Sequence, residues 1–103
     1  MADRPVLFVT RKLPADVEAR AAQDYDARLN DDDRQYDAEA VIASSAGANA
    51  ILACSTEKFS PDVIQRLPES VKAIATYSVG YEHIDVTAAS ARGITVTNTP
   101  DVL

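Results

Sequence analysis

Five short apolar runs, each of strand length, recur along the chain between stretches that carry helix signals. They occupy residues 6–9, 25–29, 50–54, 72–77 and 94–97, and the second is the weakest because its apolar residues alternate with Asp26 and Arg28. Strands that alternate with helices favour a mostly parallel sheet with helices on both faces. Right-handed crossovers limit the topology further, so we predict a flavodoxin-like, doubly wound α/β sheet of strand order 2-1-3-4-5.

Four helical stretches separate the apolar runs, and most have recognisable ends. The first begins near Pro14; the caps that we predict for the others are Asp37, Ser60 (with Pro61 after it) and Asp85 at amino ends, and Gly47 and Gly93 at carboxyl ends. The predicted inward residues are Val17, Ala21 and Ala22 in the first helix and Ala38, Val41, Ile42 and Ser45 in the second. A sheet of this kind needs a further helix over its last strand, so we expect Ile94 and Val96 to be partly exposed.

Length and composition exclude several classes of protein. With 103 residues the chain is one domain at most, and its net charge of −6 argues against nucleic acid or an anionic membrane surface as a partner. The sequence has no apolar run of about 18 residues, and residues 1–12 contain no long apolar region, so we expect neither a transmembrane helix nor a secretory leader. The only cysteine, Cys54, excludes an internal disulfide. We therefore expect a cytoplasmic protein.

Two segments at the predicted carboxyl edge of the sheet are candidate binding sites. Ser78-Val79-Gly80 follows the fourth strand, and successive free amides in a glycine turn make a pocket for a small anion. Ser55 and Thr56 follow the third strand and are candidates for contact with a hydroxyl or a water. Spacing alone leaves the simpler alternative open in both cases, that the residues only turn the chain or begin the next helix.

Other reactive residues do not assemble into a site. One histidine, one cysteine and scattered carboxylates lack the spacing of metal ligands. Cys54 has no histidine or cation at useful spacing, so we predict a buried thiol. We interpret His83 as a partly exposed residue near a helix start, and Tyr81 as a packing or interface residue. The G-x-G-x-x-G fingerprint of dinucleotide binding is absent.

Residues 75–85, Ala-Thr-Tyr-Ser-Val-Gly-Tyr-Glu-His-Ile-Asp, resemble the substrate-carboxylate loop of the D-2-hydroxyacid dehydrogenases. Residues 93–100, Gly-Ile-Thr-Val-Thr-Asn-Thr-Pro, are similar to the strand and interdomain exit that follow in that family. The resemblance covers most of residues 50–103 and is strongest to the glyoxylate and hydroxypyruvate reductases.

The resemblance implies which parts of the substrate and cofactor sites lie in this chain and which lie elsewhere in an enzyme. Backbone amides of Val79 and Gly80 would hold the substrate carboxylate, with Ser78 and Ser55 beside it and Val102 near the nicotinamide of NAD or NADP. Residues 1–98 would belong to the substrate domain and 99–103 to the interdomain linker. The family's catalytic Arg, Glu and His, and its cofactor domain, correspond to positions beyond 103, so the chain alone should be an inactive fragment of an enzyme that is itself a homodimer.

A non-catalytic flavodoxin-like binding or interaction module is the alternative. A phosphorylatable receiver would need acidic residues after the first strand and an Asp at the end of the third, where this chain has Thr10-Arg11-Lys12 and Cys54-Ser55. A flavodoxin would need a Thr/Ser-rich phosphate loop after the first strand. Both subclasses are disfavoured, whereas a degenerate relative with a structural role remains open.

Overall fold

Strands and helices alternate along the chain in the predicted order. The structure, a computed structural model, describes residues 5–30, 32–33, 36–54, 57–76 and 83–98. The strands are β1 (Val6–Val9), β2 (Asp26–Arg28), β3 (Ala50–Ala53), β4 (Ala73–Thr76) and β5 (Thr95–Asn98). The helices are α1 (Ala15–Asp24), α2 (Ala38–Ser44), α3 (Pro61–Arg66) and α4 (Val86–Ala91).

The five strands form one parallel sheet of order β2-β1-β3-β4-β5, which confirms the predicted topology. In its centre Phe8 pairs with Ile51, and Ile51 pairs with Ile74. The second strand is shorter than predicted, because Tyr25 instead ends α1 and is exposed. Parallel pairing brings the carboxyl ends of all five strands to the same edge of the sheet, which we call the carboxyl edge.

Each face of the sheet has its own core, because side chains alternate along a strand. The larger core packs α2, α3 and α4 against one face and is centred on Phe8, Ile51, Ile74 and Ile64. The smaller core packs α1 against the other face; its buried members are Leu7, Val9, Leu13 and Ala21. Helices therefore cover both faces, as predicted.

The cap predictions are confirmed at three amino ends and two carboxyl ends. Side-chain oxygens of Asp37, Ser60 and Asp85 accept hydrogen bonds from amides three residues later, at 2.8, 3.3 and 2.9 Å. Gly47 and Gly93 have φ angles of 76° and 74°, in the left-handed region that favours glycine. Local sequence therefore determines where these helices begin and end.

Several predictions of which side chains are buried and which are exposed are wrong. Ala22 is exposed because it follows the buried Ala21 by about 100° around α1, and Ala38 is exposed at the first residue of α2. Ile94 is only 4% exposed, because its side chain faces the α4 side of the sheet. Val96 packs against the larger core and is partly exposed, as predicted. In β5, Thr95 and Thr97 are exposed, and they point to the face of the sheet opposite α4.

The Asp37 cap gives a direct test of helix definition. We expect Asp37→Ala to lower the free energy of unfolding by about 1 kcal/mol, because the amide of Ala40 loses its acceptor. Asp37→Asn is the matched control, since asparagine caps about as well as aspartate. Urea denaturation measures both variants. An equal loss in the two variants would mean that the negative charge, and not the hydrogen bond, stabilises α2.

Candidate functional site

Three buried polar side chains lie at the carboxyl edge, where doubly wound sheets bind their ligands. Thr10 follows β1, Thr76 ends β4, and Glu57 lies in the segment that follows β3. All three side chains are buried, with 0% exposure for the two threonines and 3% for Glu57. Burying a carboxylate costs free energy unless it is hydrogen-bonded. The groups that donate to Glu57 therefore determine how the segments at this edge are joined.

Glu57 links the segments that follow β1 and β3. One carboxylate oxygen accepts a hydrogen bond from the hydroxyl of Thr10, and the same oxygen accepts from the amide of Cys54 at 3.0 Å. The amide of Thr10 donates to the carbonyl of Leu52 at 3.0 Å, which continues the strand pairing beyond β1. One carboxylate oxygen is therefore hydrogen-bonded to both segments, and it fixes the end of β1 relative to the end of β3.

The segments after β1 and β2 are joined by a second set of contacts. The side-chain amide of Asn30 donates to the carbonyl of Thr10 at 2.9 Å. The Arg11 guanidinium donates to both carboxylate oxygens of Asp33, at 2.8 and 3.2 Å, and the Lys12 amide donates to one of them at 3.0 Å. The hydrogen bonds from Arg11 and Lys12 lower the pKa of Asp33 from 3.8 to about 2. Asp33 therefore stays ionised at neutral pH.

The segment after β3 also pairs with the chain just before α4. The Phe59 amide donates to the carbonyl of His83 at 2.7 Å, and the Asp85 amide donates to the carbonyl of Phe59 at 2.9 Å. Phe59 and Ile84 form an isolated parallel bridge, and their side chains are buried. A cleft of about 390 Å³ lies between residues 58–61 and 83–85.

One side-chain contact spans residues 77–82. The hydroxyl of Thr76 lies 2.8 Å from the imidazole Nε2 of His83, which is half-buried. The sequence indicated only that His83 lies near a helix start. In the structure its imidazole also has a specific polar partner, Thr76. Neither this contact nor the buried Glu57 was found from the sequence, because Thr10, which donates to Glu57, lies 47 residues away and the neighbours Ser55, Thr56 and Lys58 are polar.

The residues that we predicted to bind substrate or cofactor, namely Ser55, Ser78, Val79, Gly80 and Val102, lie outside the described residues, as do Thr56 and Tyr81. Their described neighbours are informative. Ala53 is the register partner of Thr76, so the ends of β3 and β4 lie side by side. Ser55 and Ser78 each follow such a strand end by two residues in the sequence.

The described residues contain neither a cluster of metal ligands nor a membrane-spanning helix. Among the described residues, no group of three or more His, Cys, Asp or Glu side chains could hold a metal ion. No helix in these ranges is long and apolar enough to cross a membrane. Gly47 and Gly93 end α2 and α4 at the opposite, amino edge of the sheet, so neither offers a phosphate-binding turn at the carboxyl edge.

Cys54 is half-buried beside Glu57. Burial, followed by the negative charge of Glu57, raises the pKa of its thiol from 9.0 to about 11. The nucleophilic thiolate is therefore scarce at neutral pH. We conclude that Cys54 is unsuited to nucleophilic chemistry, as predicted, although its side chain is half-buried and not fully buried.

Alkylation of Cys54 tests this conclusion. At pH 8 we expect iodoacetamide to modify the folded chain about a hundredfold more slowly than the urea-unfolded chain, because the raised pKa lowers the thiolate fraction by about that factor. The folded rate should rise about tenfold for each pH increment of one up to about pH 10. Equal rates for folded and unfolded chain would contradict the raised pKa.

Comparison with known proteins places these observations in a family. Residues 6–103 match the family model described as D-isomer specific 2-hydroxyacid dehydrogenase, catalytic domain. The chain is 39% identical to glycerate dehydrogenase of Hyphomicrobium methylovorum over 94 residues, which are 91% of this chain and 29% of that protein. It is 31% identical to glyoxylate reductase of Pyrococcus furiosus over 100 residues, which are 97% of this chain and 30% of that protein.

A solved structure agrees with the sequence matches. A D-isomer specific 2-hydroxyacid dehydrogenase from a Polaromonas species, described as NAD-binding, superimposes with a TM-score of 0.90 and 35% identity over 99% of this chain and 32% of that one. The chain thus spans about 30% of the length of the relatives that it matches. On the family match, the sequence identities and the shared fold, the chain belongs to the D-isomer specific 2-hydroxyacid dehydrogenase family.

Proposed function

We propose that this chain forms the first part of the substrate domain of an NAD(P)-dependent oxidoreductase that reduces a small 2-keto acid of the glyoxylate or hydroxypyruvate type. The observation that carries the proposal is the family match over residues 6–103. The names of the relatives, glycerate dehydrogenase and glyoxylate reductase, support this substrate class. In our proposal residues 1–98 belong to the substrate domain and residues 99–103 begin the interdomain linker.

The substrate carboxylate would bind at the carboxyl edge, in the turn Ser78-Val79-Gly80. Two backbone amides, those of Val79 and Gly80, would donate to the carboxylate oxygens, and such charge-assisted hydrogen bonds need no cationic side chain. Ser55 would approach from the neighbouring segment, because β3 and β4 end side by side. The buried contacts of Glu57 and Thr10 would hold this edge in place without contacting substrate.

The cofactor would be held mainly by other parts of the enzyme. No glycine-rich turn precedes a helix at the described carboxyl edge, and Val102 is the only residue that we assign near the nicotinamide. Bound NAD(P)H would supply the hydride. The residues of this chain would orient the keto acid, and the acid/base groups that deliver the proton would also come from outside residues 1–103. We propose that the whole enzyme is a homodimer.

A chimera tests the proposed function. Residues 1–103 would replace the corresponding segment of H. methylovorum glycerate dehydrogenase, to which this chain is 39% identical. We expect the chimera to oxidise NADH or NADPH with hydroxypyruvate or glyoxylate, and the separate 103-residue chain to show no turnover. A folded chimera that binds the nucleotide but reduces neither acid would contradict the proposal and favour a non-catalytic module. Turnover by the separate chain, surviving repurification, would contradict the assignment of the catalytic groups to other parts of the enzyme.

Gly80→Val in the same chimera tests the carboxylate site. The added side chain would crowd the two amides, so we expect KM for the keto acid to rise about tenfold or more, with little change in nucleotide affinity. Thermal melting is the control for folding. If the folded variant keeps KM within about twofold, Val79 and Gly80 do not bind the carboxylate.

A further inference from the structure

Two short parallel segments form the floor of the cleft of about 390 Å³ at the carboxyl edge. Phe59 and Ile84 pair as an isolated bridge, and their side chains are 1% and 5% exposed in the larger core. The Phe59 amide donates to the His83 carbonyl at 2.7 Å, and the Asp85 amide donates to the Phe59 carbonyl at 2.9 Å. The main chain on both sides of the cleft is therefore held by contacts within the protein.

Strand alternation gathers polar side chains above this floor. Lys58 and Ser60 flank the buried residue of one segment, and His83 and Asp85 flank the buried residue of the other. Since neighbours of a core-facing residue point to the opposite side, these four point away from the core, and all four line the cleft. A volume of about 390 Å³ lies within the range of small-molecule sites, about 300–1,000 Å³.

Lys58 contributes a positive charge to the cleft. Its side chain is exposed, and within the ranges that the structure describes no carboxylate or carbonyl oxygen accepts from its ammonium. By contrast, Arg11, Lys12 and Arg20 each form an ion pair with a carboxylate. The ammonium has three hydrogens to donate, so it is available to an anion that enters the cleft.

The Ser60 hydroxyl adds a hydrogen-bond donor on the same side of the cleft. Its oxygen accepts from the Val63 amide at 3.3 Å and so caps α3. A hydroxyl that accepts can still donate its own hydrogen, for which the described part of the chain supplies no acceptor. In extended chain, Lys58 and Ser60 are roughly 7 Å apart along the backbone, so one tetrahedral anion can reach both side chains.

We propose that this cleft binds the phosphate group of a small phosphorylated compound, with Lys58 supplying the charge and Ser60 a hydrogen-bond donor. Lysine binds phosphate as a point charge, and a phosphate group has at least three acceptor oxygens for donors on separate side chains. Asp85 opposes binding, because its carboxylate lines the same cleft while it caps α4 through the Ala88 amide at 2.9 Å. The inference does not depend on the proposed function.

The experiment titrates inorganic phosphate into the full chain, labelled with ¹⁵N, with chloride at equal ionic strength and pH as the reference. We expect phosphate, and not chloride, to shift the amide signals of Lys58, Ser60 and His83. Lys58→Gln should raise the dissociation constant about threefold to fivefold, near the upper limit for an exposed ion pair. Ser60→Gly should raise it about twofold and leave α3 in place, because glycine caps almost as well as serine.

Asp85→Asn and Lys72→Gln are the matched controls. Asparagine caps about as well as aspartate, so Asp85→Asn removes the opposing charge and keeps α4; phosphate should then bind about twofold to threefold more tightly. Lys72 is likewise exposed and unpaired within the described ranges, but it precedes β4 at the amino edge of the sheet. Lys72→Gln should therefore change the dissociation constant by less than about 1.5-fold. Thermal melting checks that each variant is folded.

The site would be overturned by unchanged phosphate affinity in folded Lys58→Gln, or by an equal loss in Lys72→Gln, which would show a response to net charge alone. Failure of Asp85→Asn to tighten binding would mean that the anion lies outside the cleft. Equal binding of acetate would exclude phosphate as the ligand class. None of these results bears on Val79 and Gly80, for which oxamate, a small carboxylate that resembles a 2-keto acid, is the separate probe.

Discussion

Parallel pairing of the strands is the constraint on which the rest of the structure depends. It sends every strand end that leads into a helix to one edge, so the segments after β1, β2, β3 and β4 gather there. These segments carry polar groups that the sheet ladder does not satisfy. The buried Glu57 carboxylate and the Thr76–His83 pair supply partners at that edge. The same constraint that forms the sheet thus brings together the residues that would surround a substrate.

The cost of burying Glu57 explains the arrangement of its neighbours. An unpaired carboxylate in this position would destabilise the fold by several kcal/mol, so both the Thr10 hydroxyl and the Cys54 amide are directed at it. Its negative charge is also one of the causes that raise the pKa of the Cys54 thiol. One buried group therefore connects two strand ends and adds to the effect of burial, which is the main cause of the raised pKa of the nearby cysteine.

Sequence reasoning succeeded where the signal is local. Asp37, Ser60 and Asp85 identify helix starts because a cap and its amide are three residues apart. The strand order followed from right-handed crossovers between apolar runs. The resemblance carried by residues 75–85 and 93–100 identified the family, and the family match confirms it.

The failures concern contacts that are distant in sequence or depend on which face a side chain takes. Ile94 was expected to be partly exposed, but strand alternation directs it toward α4 and the larger core, where it is buried. The pairing of Thr10 with Glu57 spans residues that no short-range pattern connects. His83 was interpreted as a residue near a cap because nothing in the sequence shows that the end of β4 approaches it. Tertiary packing decides each of these positions.

The central claim is that amides after β4 hold the carboxylate of a small keto acid. A crystal structure of the chimera with oxamate and nucleotide tests it most directly. The account predicts carboxylate oxygens within about 3 Å of the amide nitrogens of Val79 and Gly80. A carboxylate bound elsewhere, for example in the cleft between residues 58–61 and 83–85, would contradict it.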